Sequence, residues 1–213
     1  MNRPSRMAAL ALACAGLTSA APAAAPAPTE AGWTSLFDGK TAEGWTSIPL
    51  KEGAATKWEV KDGLLCGSGE ASMLFSPKGN YKNFRYRAEL KVNDGGNSGM
   101  YVRTKKAASF TGGYEVQVNS THKDPIKTGS LYTHVHIFKS PAKADTFFTQ
   151  EVEVIDKPFR DKVVTQITIK VDGEVLYTFN DFDQTWKEGH FAFQQHDPGS
   201  KVTIRKVEVM ELP

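Results

Sequence analysis

The stretch Tyr114-Glu115-Val116-Gln117-Val118 alternates apolar and polar side chains, and Leu131-Tyr132-Thr133-His134-Val135-His136-Ile137 continues this alternation after an intervening turn. A period of two predicts β-strands whose two faces meet different environments. Solvent-facing strand positions usually carry Lys, Thr and Glu, whereas the polar face here carries a more specialised set. That set consists of Glu115, Gln117, Tyr132, His134 and His136. We therefore expect these two strands to form the floor of a ligand site.

The rest of the chain predicts a fold built from β-strands alone. Phe84 to Val92 alternates apolar with charged residues, as expected of a half-buried strand, and Asp62-Gly63 and Asp172-Gly173 are typical hairpin turns. The spacing of such segments predicts about ten to twelve strands without strand–helix alternation, which favours an antiparallel sandwich or jelly roll. No internal repeat or later linker interrupts residues 32–213, so we expect one domain there.

The amino-terminal segment resembles an export signal. A basic start, the apolar run Met7 to Leu17 and small residues up to Ala23 predict a cleaved signal peptide over residues 1–23. Residues 24–31 are rich in Ala and Pro, which predicts a disordered tether. We therefore expect a periplasmic or secreted protein. Cys14 raises lipoprotein anchoring as an alternative, but the residues before it make a poor lipidation signal.

Charge and cysteine content narrow the class of partner. The full chain has a formal charge of +2, and cleavage would remove Arg3 and Arg6 to leave zero. No basic patch is implied, so neither nucleic acid nor an anionic membrane is an expected partner, and no segment after the signal is expected to span a membrane. Cys66 would then be a lone cysteine, which cannot form an internal disulfide.

Three residues around a glycine-rich turn are candidates for ligand binding. The turn Gly95-Gly96-Asn97-Ser98-Gly99 leads into a predicted strand on which Tyr101 and Arg103 share one face. Glycine and Asn are also common in turns without any function. We expect Arg103 on the same kind of face as Glu115, where the two side chains can form an ion pair or bind a ligand separately.

His134 and His136 are two imidazoles on one predicted strand face. Such a pair can bind a divalent metal ion, with Glu115 or Gln117 from a neighbouring strand completing the ligand set. The alternative is that both histidines make ordinary hydrogen bonds on a polar face. Gln195 and His196 end a later strand at a turn, where side chains are readily presented to a ligand. Together these groups favour a polar, uncharged ligand such as a carbohydrate.

Six short motifs, in this order, resemble those of a known family. They are Ser35-Leu36-Phe37-Asp38-Gly39-Lys40 with Gly44-Trp45, Trp58 to Leu65, Gly95 to Arg103, Gly113 to Gln117, Thr128 to Tyr132, and Gly189 to His196. The set resembles the 3-keto-disaccharide hydrolase family, also described as a 3-keto-glucoside 1,2-lyase and 3-keto-2-hydroxy-glucal hydratase domain. The resemblance covers nearly all of residues 33–212 and weakens between Ala142 and Lys170, which leaves the rim of the site and the substrate identity open.

The resemblance implies a concanavalin A-like jelly roll, export, and 3-keto-sugar substrates. In that chemistry a base removes the C2 proton, the C1 aglycone leaves, and water then adds to the glucal. We expect Glu115 or His134 as the base, His136 as its partner or as a metal ligand, and Arg103 with Asn97 at the developing oxyanion. A divalent cation is the alternative electrophile. The residues expected to bind the sugar are Asn97, Tyr101, Gln117, Tyr132, Gln195 and His196.

Two other functions stay open at this stage. A jelly roll also serves as a non-catalytic carbohydrate-binding module, because a fold does not fix a function. A conventional glycosidase would need two opposed carboxylates, and the sequence offers only Glu115 plainly on the predicted faces. The aglycone, the anomer, the oligomeric state and the division between lyase and hydratase steps are not set by the sequence.

Overall fold

A computed structural model describes residues 30–213 of the chain. This part contains thirteen β-strands and no helix, so the expected all-β fold is confirmed. The predicted signal peptide, Cys14 and all but the last two residues of the predicted tether lie outside the described residues. The strands are β1 (Thr34–Ser35), β2 (Thr46–Pro49), β3 (Thr56–Lys61), β4 (Leu64–Gly69), β5 (Ser72–Phe75), β6 (Phe84–Val92), β7 (Ser98–Thr104), β8 (Tyr114–Val118), β9 (Phe148–Phe159), β10 (Lys162–Val171), β11 (Glu174–Asp181), β12 (His190–Gln195) and β13 (Val202–Glu211).

The strands form two antiparallel sheets. The eight-stranded sheet has the order β11-β10-β9-β6-β13-β4-β3, with β1 pairing with β13. The five-stranded sheet has the order β2-β5-β12-β7-β8. The predicted hairpins are present, with Asp62-Gly63 joining β3 to β4 and Asp172-Gly173 joining β10 to β11.

The core lies between the sheets, where the apolar parity of each strand meets the other sheet. In β6 every second residue from Phe84 is buried, as the alternation predicts. Tyr86 from the larger sheet stacks on Phe191 from the smaller one, with ring centroids 3.9 Å apart. Phe84 meets the same Phe191 ring edge-on at 4.8 Å. Stacked and edge-on aromatic pairs of this kind stabilise a core beyond the area they bury.

The outer face of the five-stranded sheet carries the polar residues of these strands. On β8 the residues Tyr114, Val116 and Val118 join the core cluster, so Glu115 and Gln117 point the other way. Tyr101 pairs directly with Glu115 on one side and with Ala192 on the other. The outward-facing residues of β8, β7 and β12 therefore form one continuous surface on the side away from the core.

The predicted strand over Leu131–Ile137 is wrong. The chain does run beside β8 as far as Tyr132, whose N–H donates to the Glu115 carbonyl at 2.9 Å. It then turns back on itself, because the N–H groups of His134 and Val135 both donate to the Leu131 carbonyl at 2.8 Å. Thr133 adopts a positive φ of 71° within this turn. Period-two reasoning therefore holds for Tyr132 but not for His134 or His136.

Across residues 30–213 there is no helical segment with the length and apolar character needed to cross a membrane.

Candidate active site

A cavity of about 190 Å³ opens on the outer face of the five-stranded sheet. Its floor is formed by β8 and the ends of β7 and β12, and its walls come from the connections at 105–113 and 119–147. The lining residues are Asn97, Phe110, Thr111, Glu115, Gln117, Asp124, Tyr132, Thr133, Gln194 and His196. Five of the residues predicted from the sequence are thus brought together: Asn97, Glu115, Gln117, Tyr132 and His196. Their roles in binding or catalysis stay predictions.

Glu115 is a buried carboxyl at the floor of this cavity. Only 8% of the Glu115 residue is exposed to solvent. Burial raises its pKa to about 8, the nearby Asp124 carboxylate adds to the rise, and a hydrogen bond from the Tyr101 hydroxyl opposes it. Because this pKa lies above neutral pH, the carboxyl is mostly protonated at pH 7.

Space for this carboxyl depends on Gly99. A Cβ atom at Gly99 would come within 2.5 Å of Glu115 Oε1 and 2.7 Å of the Tyr101 ring. Gln117, which pairs with Gly99 across the β7–β8 ladder, holds the other side. With its amide oriented to satisfy its neighbours, its nitrogen donates to the Ser98 carbonyl at 2.8 Å and to Glu115 Oε1 at 3.2 Å. The space above Gly99 and the hydrogen bond from Gln117 therefore set the position of the Glu115 carboxyl.

Two amide oxygens at the cavity lack a protein hydrogen-bond donor. Asn97 and Gln194 are each 2% exposed, and neither Asn97 Oδ1 nor Gln194 Oε1 has a partner among the described residues. The Gln194 nitrogen donates to the Tyr101 hydroxyl at 3.0 Å, so a chain of contacts runs from Gln194 through Tyr101 to Glu115. Both oxygens are closed off from solvent, and buried acceptors without donors are costly. The polar groups that line the cavity, among them Glu115, Gln117 and Asp124, suit a ligand rich in hydroxyl groups.

Aromatic side chains form part of the wall. Phe110 stacks on the His196 ring at a centroid distance of 5.9 Å and an interplanar angle of 12°. Tyr132 stands at the rim, 37% exposed, with its hydroxyl 3.5 Å from an Asp124 carboxylate oxygen. A cavity that combines planar apolar rings with amide and carboxyl groups suits the mixed faces of a sugar ring.

His122, His196 and Asp197 cluster at the edge of the cavity. His196 Nδ1 lies 2.7 Å from Asp197 Oδ2, and His122 Nε2 lies 3.9 Å from the same oxygen. Partial burial lowers the pKa of His122, and the His196 ring lowers it further. Burial would raise the pKa of Asp197, but hydrogen bonds from His196 and from the Gly199 backbone lower it overall. The sequence did not single out His122, since nothing in its polar turn indicates that the turn folds onto β12.

Arg103 does not lie on the face of Glu115, so the predicted position is wrong. The register of β7 against β12 shifts here, and Arg103 has a φ of 48°. This bulge reverses the direction of the side chain. The guanidinium is fully buried, where it pairs with Asp156 at 3.0 Å and donates to the Lys82 and Trp186 carbonyls. Arg103 is therefore engaged inside the protein and is not available to an oxyanion in the cavity.

His134 and His136 also lie outside the cavity. His134 packs on Phe179 with ring centroids 5.0 Å apart, and His136 meets Phe138 at 6.1 Å. The turn after Leu131 carries both rings away from Glu115. Among residues 30–213, these two histidines and Glu115 do not form a metal-binding group. The predicted metal site at these three residues is wrong.

Gln195 is also displaced from its predicted position, whereas Tyr101 lies on its predicted face but outside the cavity lining. Gln195 shares the inward parity of Phe191 and Phe193, and its amide nitrogen donates to the carbonyls of Gly69, Asp197 and Ser200. Gln194 takes its place at the cavity, as strict alternation from Phe193 would have indicated. Tyr101 is fully buried beneath Glu115 and does not line the cavity. Phe110, Thr111, Asp124 and Thr133 carried no recognisable signal because they lie on irregular connections.

Two packed antiparallel sheets with a polar cavity on the outer face of the smaller one define a concanavalin A-like jelly roll. The chain belongs to the family of 3-keto-alpha-glucoside-1,2-lyase-like domains, whose model matches residues 32–210. The resemblance noted from the sequence motifs is thereby confirmed.

One curated relative is similar over part of the chain. It is a 3-keto-disaccharide hydrolase of Bacteroides thetaiotaomicron, 35% identical over 88 residues, which are 37% of this chain and 29% of that protein. The matched segment thus spans under a third of that relative's length.

Solved structures share the fold. A Parabacteroides distasonis protein named as a candidate glycosyl hydrolase superposes with a TM-score of 0.65 at 17% identity, over 84% of this chain and 99% of that one. The β-glucanase of Bacillus licheniformis superposes with a TM-score of 0.57 at 12% identity, over 84% and 97% of the respective chains. At these identities the likeness establishes the jelly roll alone.

Proposed function

We propose that the protein cleaves 3-keto-glycosides, with Glu115 as the group that removes the C2 proton. The observation that carries this proposal is a buried carboxyl with a pKa of about 8 at the floor of a cavity that further amide, hydroxyl and aromatic side chains line. Membership of the keto-glucoside family supports the substrate class. The hydrolysis of 3-keto-disaccharides by the Bacteroides relative supports the same class.

The reaction needs one strong base near C2. A ketone at C3 acidifies the C2 proton, because the electron pair left behind is delocalised onto the ketone oxygen as an enolate. The ionised Glu115 carboxylate takes this proton. The enolate then re-forms the ketone, a double bond forms between C1 and C2, and the bond from C1 to the aglycone oxygen breaks. Addition of water to the resulting 2-hydroxy-glucal completes a net hydrolysis.

Glu115 suits the base role because its pKa is matched to the task. A carboxylate whose conjugate acid has a pKa near 8 is a stronger base than an ordinary surface carboxylate, and catalysis is favoured when that pKa lies near the working pH. The Tyr101 hydroxyl and the Gln117 amide hold the head group in one position. Positioning of this kind lowers the entropy cost of reaching the transition state.

The leaving aglycone oxygen also requires a proton. Tyr132, at the rim of the cavity, is the donor to the departing group. The Asn97 and Gln194 side chains line the cavity beside Glu115 and position the sugar over it. The cavity is smaller than the roughly 300 Å³ or more of typical drug-sized sites, which favours a single sugar ring over a long polysaccharide.

A conventional glycosidase is the second candidate, because the structure adds a carboxyl that the sequence did not reveal. Asp124 lines the same cavity and raises the pKa of Glu115. A protonated Glu115 as acid and an ionised Asp124 as its partner would resemble the two-carboxylate arrangement of glycoside hydrolysis. Such an enzyme would cleave ordinary glucosides without oxidation at C3.

Export is part of the proposal, and it rests on the basic and apolar pattern of residues 1–23 alone. An exported enzyme would meet keto-sugars in the periplasm or outside the cell. Fractionation of cells that express the full chain tests this location. Recovery of the uncleaved chain in the cytoplasmic fraction would contradict it.

The test compares a 3-keto-glucoside that carries a chromogenic aglycone with its unoxidised parent. Wild-type protein should release the aglycone from the keto-substrate, and Glu115→Gln should lower kcat/KM by about 100-fold or more. Glu174→Gln, at an exposed position outside the cavity, is the matched control and should keep full activity. Equal cleavage of the parent glucoside would favour the glycosidase, and binding without cleavage would favour a carbohydrate-binding module.

A further inference from the structure

Three potential metal ligands from two separate connections meet at the edge of the cavity. His122 comes from the connection after β8, whereas His196 and Asp197 follow β12. One ligand atom from each of the three lies within 4.8 Å of the others. They are only partly exposed, and they line a second, open depression next to the first, with His196 shared between the two.

The carboxylate in this cluster is oriented before any ligand arrives. Asp197 Oδ1 accepts the backbone N–H groups of Gly199 at 2.8 Å and Ser200 at 3.1 Å. The other oxygen, Oδ2, is therefore directed at the two imidazoles. Supporting hydrogen bonds that orient a ligand in this way are typical of metal sites.

The loop that carries His122 is held in place by Asn119. The Asn119 side chain accepts the His122 N–H at 2.9 Å and donates to the carbonyls of Asp124 at 3.0 Å and Ile126 at 2.8 Å. Asn119 is itself fully buried. The position of the His122 ring is thus set by the fold and does not depend on a flexible surface loop.

We propose that His122, His196 and Asp197 bind a divalent transition-metal ion beside the cavity. Two imidazole nitrogens and one carboxylate oxygen suit Zn²⁺ and related ions, whereas Mg²⁺ and Ca²⁺ prefer oxygen ligands alone. Three protein ligands leave at least one coordination position open. The exposed Lys123 at the rim of the depression can extend into solvent, away from the ion.

Binding has a structural consequence at His122. Its Nδ1 accepts the Asp124 N–H at 3.1 Å, so the hydrogen of the neutral ring sits on Nε2, which faces Asp197. An ion bound at Nε2 displaces that hydrogen, and the neutral ring then carries its hydrogen on Nδ1. The Asp124 N–H must turn away, so its amide signal is a specific reporter of ligation.

The ion would also supply a positive charge that the cavity lacks. No Lys or Arg is among the residues that line it, and Arg103 is engaged by Asp156. An ion at the His196 edge would stabilise an enolate oxygen. This part of the inference rests on the proposed function, whereas the binding of the ion does not.

The test is calorimetric titration of metal-stripped wild-type protein with ZnCl₂ and MnCl₂, and with CaCl₂ for comparison. One equivalent of Zn²⁺ should bind, and Ca²⁺ should bind far more weakly. In NMR spectra of the same protein, the Asp124 amide resonance should shift when Zn²⁺ is added. His122→Ala and His196→Ala should each lower Zn²⁺ affinity by about tenfold or more, while His134→Ala and His136→Ala are the matched histidine controls. Thermal melting of each variant verifies that it is folded.

Absence of Zn²⁺ binding to wild-type protein, or an equal loss in the His134 and His136 controls, would overturn the site. Cleavage of a keto-glucoside by protein that binds no metal would remove the site and leave the proposed function standing. Metal binding by a protein that cleaves no keto-glucoside would support the metal site and contradict the proposed function.

Discussion

Tyr101 pairs with Glu115 directly across the β7–β8 ladder, and its hydroxyl lowers the pKa of the Glu115 carboxyl. Tyr101 is fully buried, and its own pKa is raised well above the ordinary value by burial and by the neighbouring Glu115. The hydroxyl therefore stays protonated and acts as a donor under all ordinary conditions. This contact opposes the effect of burial on Glu115 and limits how far its pKa rises.

Removal of this donor should change the pH dependence of activity. Because the hydrogen bond lowers the Glu115 pKa, Tyr101→Phe should raise it. For a base with a pKa of about 8, kcat/KM should increase with pH and level off above that value. In Tyr101→Phe the rising limb should lie at higher pH. A pH profile of kcat/KM that is the same in both proteins would contradict the assignment of the limb to Glu115.

The buried Glu115 should make the protein less stable as the pH rises. Its carboxyl titrates near 4.5 in the unfolded chain and near 8 in the folded one, so between these values the folded state binds more protons. The free energy of unfolding should then fall by up to about 1.4 kcal/mol per pH unit in this window. Glu115→Gln lacks this contribution. Urea unfolding at several pH values should show the variant gaining stability relative to wild type from pH 5 to pH 8, and a constant difference would refute the raised pKa.

Gly99→Ala should impair both activity and stability. The added methyl group would overlap the flexible end of Glu115 and the edge of the Tyr101 ring, so the carboxyl would be pushed from its position. We expect a fall in kcat/KM of about 100-fold, together with a loss of about 1–3 kcal/mol of stability from the contact with the buried Tyr101 ring. Gly95→Ala is not an equivalent control because Gly95 has a positive φ. Gly112→Ala, with its nearest contact at 3.4 Å, is a suitable one.

Arg103 should matter for stability and not for chemistry. Arg103→Met would leave the Asp156 carboxylate, only 8% exposed, without its cation. Loss of one member of a buried pair costs about 3–5 kcal/mol, which urea unfolding would detect. Arg103→Met combined with Asp156→Asn should recover part of that loss. A large drop in kcat for folded Arg103→Met protein would instead indicate that Arg103 takes part in the reaction.

The sequence predicted the fold well because alternation and hairpin turns are local signals. Phe84–Val92 and the hairpins at Asp62 and Asp172 were found at their observed positions, and Glu115 and Gln117 followed from the same alternation. The errors at Arg103, His134 and His136 share one physical cause, which is a local break in the regularity of a strand. A single bulge reversed the direction of the Arg103 side chain, and a tight turn after Leu131 moved His134 and His136 away from Glu115. Bulges and tight turns interrupt the alternation of a strand, so alternation alone does not predict them.

Alternation patterns could not predict which residues of the irregular connections lie at the cavity. Asp124 and His122 lie in a polar turn whose composition is typical of solvent-exposed loops, yet hydrogen bonds with Asn119 hold it against the cavity. Gln194 is different, since the alternation of Phe191 and Phe193 already placed it opposite Gln195. Its position at the cavity therefore follows from local alternation and not from tertiary structure.

The central claim is that Glu115 removes the C2 proton of a 3-keto-glucoside. It is tested most directly by proton NMR in D₂O, which follows the C2 proton while the substrate is consumed. Wild-type protein should remove the C2 signal together with release of the aglycone, leaving deuterium at C2 of any hydrated product, and Glu115→Gln should leave both unchanged. Release of the aglycone with the C2 proton retained in the product would contradict the account.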